Sequence, residues 1–138
     1  MGTDIVVGVD GSANSNEALR WALDEAEIRG ARVRAVMTWS FMGEGESVLG
    51  VGTTEVDAKA ALDESLRDAA PERMDLIDQV TVNDLAVPGL LAEAATGAML
   101  VVGSRGRGAI KGMLLGSTSR KVIEKSPVPV VVVPHPHG

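Results

Sequence analysis

Short strand-like segments alternate with helical segments along this chain, and this alternation limits its possible folds more than any other feature. Most of the strand-like segments are nearly continuous apolar runs, which are typical of parallel strands buried on both faces. Strands that alternate with helices predict a parallel sheet with right-handed crossovers and helices on both faces, a doubly wound, Rossmann-like α/β fold. The predicted strands are residues 5–9, 33–39, 79–83, 98–102 and 128–133.

Capping residues and proline set the predicted helix boundaries. The first helix is the clearest, because alanines recur every four residues along it. At 138 residues the chain is expected to be one domain, residues 1–138, with a glycine-rich loop at 40–53 and a tail at 134–138. The predicted boundaries are Asn14 or Ser15 to Gly30, Thr54 to Pro71, Pro88 to Gly97, and Ser117, as N-cap, to Lys125.

A glycine-rich stretch follows the fourth predicted strand. It reads Gly103-Ser-Arg-Gly106 and, after nine further residues, Gly116-Ser117-Thr118-Ser119 at the start of the last predicted helix. Glycines allow close backbone approach, and the unpaired N–H groups and dipole of a helix N-terminus attract an anion. Residues 103–125 also carry six basic residues and one acidic residue, whereas the rest of the chain carries seven basic and eighteen acidic residues. The stretch therefore predicts a phosphate site.

Two familiar phosphate motifs do not fit this stretch. A Walker A loop requires lysine after its second glycine, and Ala109 follows Gly108 here. The dinucleotide fingerprint requires a third glycine where the chain has Lys111. The spacing that does fit is Gly-x2-Gly-x9-Gly-Ser; the alternative is a glycine-rich surface loop that binds nothing.

That spacing, together with Val9-Asp10-Gly11-Ser12 and Val-Pro-Val-Val-Val-Val-Pro134, resembles the universal stress protein family in its ATP-binding branch. The resemblance extends from about Ile5 to Pro134 and implies the strand order 3-2-1-4-5. In such a sheet the first and fourth strands have crossovers on opposite faces, which leaves a crevice at their carboxyl ends. Asp10 and Gly103 end these two strands in the predicted fold, so both site segments are expected at the crevice.

The resemblance also assigns roles to individual residues. It implies that Asp10 faces the nucleoside, and that backbone at Thr38, where the family usually has valine, recognises the adenine edge. Asp10 could instead cap its own turn, Ser117 could be an ordinary N-cap, and Arg105 could be a solvated surface charge. The predicted ATP site comprises Asp10, Gly11, Ser12, Thr38, Gly103, Arg105, Gly106, Gly116, Ser117, Thr118 and Ser119, with Mg²⁺ or Mn²⁺ carried by the phosphates.

Composition argues against several classes of function. A net charge of −6 and only 2% aromatic residues disfavour nucleic-acid and anionic-membrane binding. The absence of cysteine excludes disulfides and thiol chemistry. No apolar stretch approaches the roughly 20 residues of a membrane helix, and the N-terminus lacks a signal-peptide layout, so a cytoplasmic location is expected.

Three functions remain compatible with the sequence. The first is a nucleotide-responsive regulatory or stress-response protein with an unknown protein partner, the second a slow ATPase or phosphotransferase, and the third an interaction module with an empty loop. No evident general base or catalytic triad accompanies the predicted site, which favours binding over catalysis. AMP or a cyclic nucleotide is an alternative ligand.

The last predicted strand is expected to pair with a second copy of the chain. It is the most apolar of the five, and the implied order leaves it at an edge, where an uncovered strand is a template for pairing. Similar proteins dimerise through this strand. Pro129 suits an edge if its missing N–H faces away from the inner strand.

Overall fold

Strands and helices alternate as predicted in residues 2–40, 54–105 and 114–135, which the computed structural model describes. A 3₁₀ segment, Pro71–Leu76, which the sequence did not predict, connects the second helix to the third strand. The elements in order are β1 (Ile5–Gly8), α1 (Ala13–Arg29), β2 (Val33–Trp39), α2 (Glu55–Ala69), β3 (Ile77–Asn83), α3 (Ala86–Ala94), β4 (Met99–Gly103), α4 (Ser117–Lys125) and β5 (Val130–Val133).

These strands form one five-stranded parallel sheet of order β3-β2-β1-β4-β5, which confirms the predicted fold class. In the centre of the sheet, Ile5 lies opposite Val33 on one side and Met99 on the other. β1 and β4 are therefore neighbours although the paired residues Ile5 and Met99 are 94 positions apart in the sequence. Their carboxyl ends lie at the same edge of the sheet.

Alternating side chains of each strand enter two separate cores. On one face Ile5 and Val7 are fully buried with Leu19 and Leu23 of α1 and with Leu62 of α2. On the other face Val6 and Leu100 pack with residues of α3 and α4. Burial of apolar area on both faces, at about 25 cal/mol per Å², holds the helices in two layers. The crossovers after β1 and β4 consequently lie on opposite faces.

Helix α1 begins earlier than predicted. Its N-cap is Ser12, whose hydroxyl accepts a hydrogen bond from Ser15 N at 3.2 Å, so the prediction of Asn14 or Ser15 as the cap was wrong. Gly11, with φ at +83°, turns the chain sharply enough after β1 that the helix starts at Ala13. The predicted stop was right, since Gly30 adopts the left-handed conformation at the C-cap.

Helix α4 also begins earlier than predicted. Its N-cap is Gly116, whose carbonyl accepts from Arg120 N at 3.1 Å, and no side chain caps the helix. Ser117 is thus the first helical residue, and the prediction that it caps the helix was wrong. Gly116, whose backbone is extended, is the cap because its carbonyl already accepts the first hydrogen bond of the helix.

The remaining boundaries differ from the prediction by a few residues, which is the usual uncertainty at element ends. β3 and α3 each begin two residues early, so that Pro88 lies inside the first turn of α3. Thr54 caps α2 as predicted, accepting from Asp57 N at 3.2 Å.

Strand β5 lies at an edge, as predicted, but Pro129 does not face outwards. The Pro129 carbonyl accepts from Leu100 N at 2.9 Å, and in an extended chain the N and C=O of one residue point to the same side. The missing N–H of Pro129 therefore faces β4, and the strand begins only at Val130. The backbone groups directed away from β4 are those of Val130 and Val132.

Candidate functional site

The two predicted site segments meet at the carboxyl ends of β1 and β4. Asp10 follows the end of β1, and Gly103 ends β4, which pairs directly with β1. Helices α1 and α4, which follow these segments, pack on opposite faces of the sheet. This is the topological switch point at which doubly wound folds bind ligands.

The turn after β1 is tightly hydrogen-bonded. Asp10 Oδ1 accepts from Ser12 N at 2.9 Å, and the Ser15 hydroxyl accepts from Asp10 N at 3.3 Å while donating to the Ser12 carbonyl at 3.1 Å. Gly11 is exposed and left-handed, a conformation that other residues rarely adopt. The half-buried Asp10 carboxylate thus holds its own turn at the mouth of the crevice.

Thr38 presents its backbone, not its side chain, towards the crevice. The side chain is buried against α3, since a β-carbon on Gly89 would lie 2.7 Å from Thr38 Cγ2. Val36 O accepts from Val9 N at 2.9 Å, and alternate residues of a strand direct their backbone groups to the same side. The Thr38 carbonyl therefore faces the β1 side, beyond the end of β1.

The first turn of α4 is bonded to the end of β4. The Ser104 carbonyl accepts from Gly116 N at 2.6 Å and from the Ser119 hydroxyl at 3.0 Å. Ser119 is buried, and its hydroxyl also donates to the Gly116 carbonyl at 3.1 Å, so this side chain is engaged within the protein. The backbone N–H groups of residues 117–119 have no hydrogen-bond partner in the described part of the chain, as expected for a first helical turn.

Sequence reasoning missed Asn14, which joins the two site segments. Asn14 is buried, and its Oδ1 accepts from Arg105 N at 2.8 Å and from the Ser104 hydroxyl at 3.3 Å. Its Nδ2 donates to the Val133 carbonyl at 3.1 Å and to Glu17 Oε1 at 3.2 Å. An asparagine near a helix start suggests only a local cap, so no signal in the sequence pointed to these distant partners.

Gly103 is glycine because Asn14 lies against it. A β-carbon on Gly103 would lie 2.7 Å from Asn14 Cγ, closer than such atoms come in proteins. The absent side chain at this position therefore makes room for the asparagine. Arg105 is half-buried, and Gly106, the second glycine of the predicted motif, lies outside the described residues.

The beginning of the tail is held beside the same network. His135 N donates to the Ser104 hydroxyl at 3.3 Å, and His135 Nδ1 lies 3.0 Å from Glu17 Oε1. Residue 135 therefore belongs to the folded domain, although we expected the tail to begin at 134. Residues 136–138 lie outside the described chain.

Neither a metal-binding cluster nor a membrane-spanning helix is found in the described ranges. They contain no group of three or more His, Cys, Asp or Glu residues that could hold a metal ion. No helix in them is both long and apolar enough to cross a membrane.

The profile of the universal stress protein family matches residues 1–134. The chain belongs to the universal stress protein family. A universal stress protein of Mycobacterium tuberculosis is 37% identical to it over 130 residues, which cover 93% of this chain and 44% of that protein. The chain thus spans less than half the length of that relative.

Solved structures of the family share the fold. A universal stress protein in complex with cAMP matches with a TM-score of 0.70 and 26% identity over 95% of each chain. A universal stress protein from Archaeoglobus fulgidus matches with a TM-score of 0.69 and 26% identity, covering 96% of this chain and 94% of that one. This member of the family therefore has both the sequence pattern and the sheet order of its relatives.

Proposed function

We propose that this universal stress protein binds ATP at the carboxyl ends of β1 and β4 and acts as a nucleotide-responsive regulatory protein. The observation that carries the proposal is the first turn of α4, whose N–H groups at 117–119 lie beside the end of β4 at the topological switch point. A helix start whose N–H groups have no partner among the described residues, together with its positive dipole end, suits the phosphates of a nucleotide. Exposed Arg120, Lys121 and Lys125 on the same helix add positive charge.

In the proposed arrangement the nucleotide spans both site segments. The adenine edge meets the backbone of Thr38, the nucleoside lies near Asp10, Gly11 and Ser12, and the phosphates lie between Gly103 and Ser117. The distribution of groups supports this order, because backbone acceptors lie on the β2 side and N–H donors on the β4 side. The contributions of Arg105, Thr118 and Ser119 rest on the sequence motif and on their positions next to these groups. The contribution of Gly106 rests on the sequence motif alone.

The solved relative in complex with cAMP supports an adenine nucleotide as the ligand class. ATP is proposed over cAMP and AMP because the predicted phosphate site is longer than one phosphate needs. It also lies in residues 103–125, a segment that carries six positively charged residues. Any Mg²⁺ or Mn²⁺ would be carried by the phosphates. We retain the cytoplasm as the expected compartment and an unidentified protein as the expected downstream partner.

Isothermal titration tests the ligand. Protein stripped of carried-over nucleotide is titrated with ATP and Mg²⁺, and separately with AMP and cAMP. We expect a micromolar Kd for ATP, which corresponds to about −8 kcal/mol, and weaker binding of the two monophosphates. No heat and no thermal shift at millimolar ATP would exclude an ATP site, and tighter binding of cAMP would transfer the proposal to cyclic nucleotides.

A phosphate-release assay separates the regulatory proposal from the ATPase alternative. Because the predicted site lacks an evident general base, worth typically ~10²–10⁴-fold in rate, we expect slow or absent turnover. A kcat of about 1 s⁻¹ or more, within the ordinary enzyme range, would favour the ATPase.

We also propose that two copies of the chain pair through β5. The described strand lies at the edge of the sheet and its valines are only half-buried. Its outward N–H and C=O groups, at Val130 and Val132, are suited to antiparallel pairing about a two-fold axis.

A further inference from the structure

We propose that Asn14 is the positioning residue of the nucleotide site and that it sets the first turn of α4 relative to the crevice. The inference rests on the proposed ATP binding, but the residue itself is placed away from the ligand. Asn14 is only 3% exposed, and its side-chain amide is hydrogen-bonded through both Oδ1 and Nδ2 to other groups of the protein. Its effect on a nucleotide must therefore pass through the residues that it holds.

Those residues connect Asn14 to α4 through Ser104. On one side, Asn14 Oδ1 accepts from the Ser104 hydroxyl and from Arg105 N. On the other side, the Ser104 carbonyl accepts from Gly116 N and from the Ser119 hydroxyl, which are the N-cap and the third residue of α4. The buried side-chain amide of Asn14 thus fixes the position of Ser104, and the Ser104 carbonyl in turn holds the start of α4.

The same amide ties this peptide to two further elements. Asn14 belongs to the first turn of α1, directly after the Asp10–Gly11–Ser12 turn, and its Nδ2 donates to Val133 O at the end of β5. The Asn14 side chain therefore joins the turn after β1, where the nucleoside is proposed to lie, to the end of β4, where the phosphates are proposed to lie, and to the edge strand β5. Because a binding site gains affinity from groups that are already in place, loss of this amide is expected to weaken ATP binding beyond its effect on folding.

Gly103 provides independent support from packing. A β-carbon at this position would lie only 2.7 Å from Asn14 Cγ, which means that the glycine and the asparagine are complementary in shape. The first glycine of the motif is then explained by Asn14 rather than by contact with phosphate. This predicts that the two positions are energetically coupled.

The experiment compares ATP affinity, stability and amide exchange in four proteins: wild type, Asn14→Ala, Gly103→Ala and the double variant. We expect Asn14→Ala to raise the Kd for ATP about tenfold, comparable to loss of one or two net hydrogen bonds. We also expect the Arg105 amide, protected in the wild type without nucleotide, to exchange rapidly in Asn14→Ala. Arg34→Met, which removes a polar network near the amino end of β2, is the control for a loss of stability remote from the crevice and is expected to keep the wild-type Kd.

Gly103→Ala is expected to weaken ATP binding in the wild-type background and to have little further effect in the Asn14→Ala background. Equal losses in both backgrounds would show that the glycine is needed for something other than Asn14 and would overturn that part of the inference. If the wild type binds ATP and Asn14→Ala binds within about twofold of it, the positioning role is wrong while the proposed function stands. If the stripped wild type binds no ATP, the proposed function fails and the inference fails with it.

Discussion

At the residue scale, Arg34 is a partly buried positive charge of β2 whose carboxylate and carbonyl partners lie far from the crevice. Its side chain is only 16% exposed and lies 3.0 Å from Asp4 Oδ2 and 3.4 Å from Glu93 Oε1. It also donates to the Thr96 hydroxyl at 2.8 Å and to the Glu93 carbonyl, in the last turn of α3, at 3.1 Å. A cation at a helix C-terminus is favourable, so this one residue joins the N-terminal segment, β2 and α3.

We expect Arg34→Met to lower the free energy of unfolding by about 1–3 kcal/mol, because it leaves partly buried acceptors without their charged donor. Urea denaturation measures the change. Arg32→Met is the matched control, since Arg32 forms a bidentate pair with Asp78 in which both side chains are half exposed. Solvent screens that pair, so the control should lose much less stability. Equal losses would show that the partial burial of Arg34 adds nothing.

Gly116 provides a residue-scale test of the phosphate site. Its φ of −74° and ψ of 168° are accessible to any residue, so Gly116→Val adds no backbone strain. We expect the variant to remain folded while its β-branched side chain obstructs the start of α4, with at least a tenfold increase in the Kd for ATP, about 1.4 kcal/mol. Calorimetry and thermal melting measure the two effects.

Gly30→Ala is the contrasting control. Gly30 has φ at +65°, and a β-carbon there would have no other atom within 4 Å, so alanine is costly for conformational reasons alone. It should lower stability by about 1 kcal/mol and leave ATP affinity unchanged. Wild-type ATP affinity in Gly116→Val would exclude close ligand approach at that position.

At the element scale, two carboxylates, Asp78 on β3 and Asp63 on α2, link the edge strand β3 to its neighbours. A hydrogen bond from Arg32 lowers the pKa of Asp78, and hydrogen bonds from Arg67 and Gln79 lower the pKa of Asp63 on α2. Both groups bind protons more weakly in the folded than in the unfolded chain. Their contribution to stability is therefore present above the unfolded pKa, near 3.8, and is lost as the pH falls through the lower folded values.

We expect the free energy of unfolding to decrease as the pH falls below about 4, with a smaller decrease in Asp78→Asn, which has no carboxylate to protonate at this position. Urea titrations over this range measure the difference. High salt should reduce this pH-dependent loss of stability, because the side chains of Asp78 and Asp63 are 49% and 38% exposed. An identical pH profile in Asp78→Asn would show that the Arg32–Asp78 pair does not contribute to acid sensitivity.

At the scale of the whole molecule, the proposed pairing of two copies depends on β5, which lies at an edge of the sheet. We expect light scattering to give twice the chain mass of 14.3 kDa. Val132→Pro removes an N–H directed away from β4, so it should split the dimer without removing a hydrogen bond of the sheet itself. Val132→Ala keeps that N–H while shortening the side chain, and it should remain dimeric. A monomeric wild type at high micromolar concentration would contradict pairing through this edge.

Local sequence patterns determined most of the elements. Apolar runs, the alanine repeat of α1, Thr54 and Gly30 act through neighbours a few residues away. The strands, to within about two residues, and the helix ends at Thr54 and Gly30 could therefore be predicted directly. The strand order did not follow from these patterns; it came from the family resemblance and was confirmed by the sheet. The glycine spacing likewise identified which strand ends to examine.

Only the tertiary structure decided how those strand ends are joined. Asn14 reaches Arg105 across 91 positions and Val133 across 119, and Gly103 must be glycine because Asn14 of helix α1 lies against the end of β4. The true caps, Ser12 and Gly116, likewise depend on turns whose geometry the strands impose. Local patterns report the conformation of a segment, whereas these contacts exist only because parallel pairing places the carboxyl ends of β1, β4 and β5 side by side.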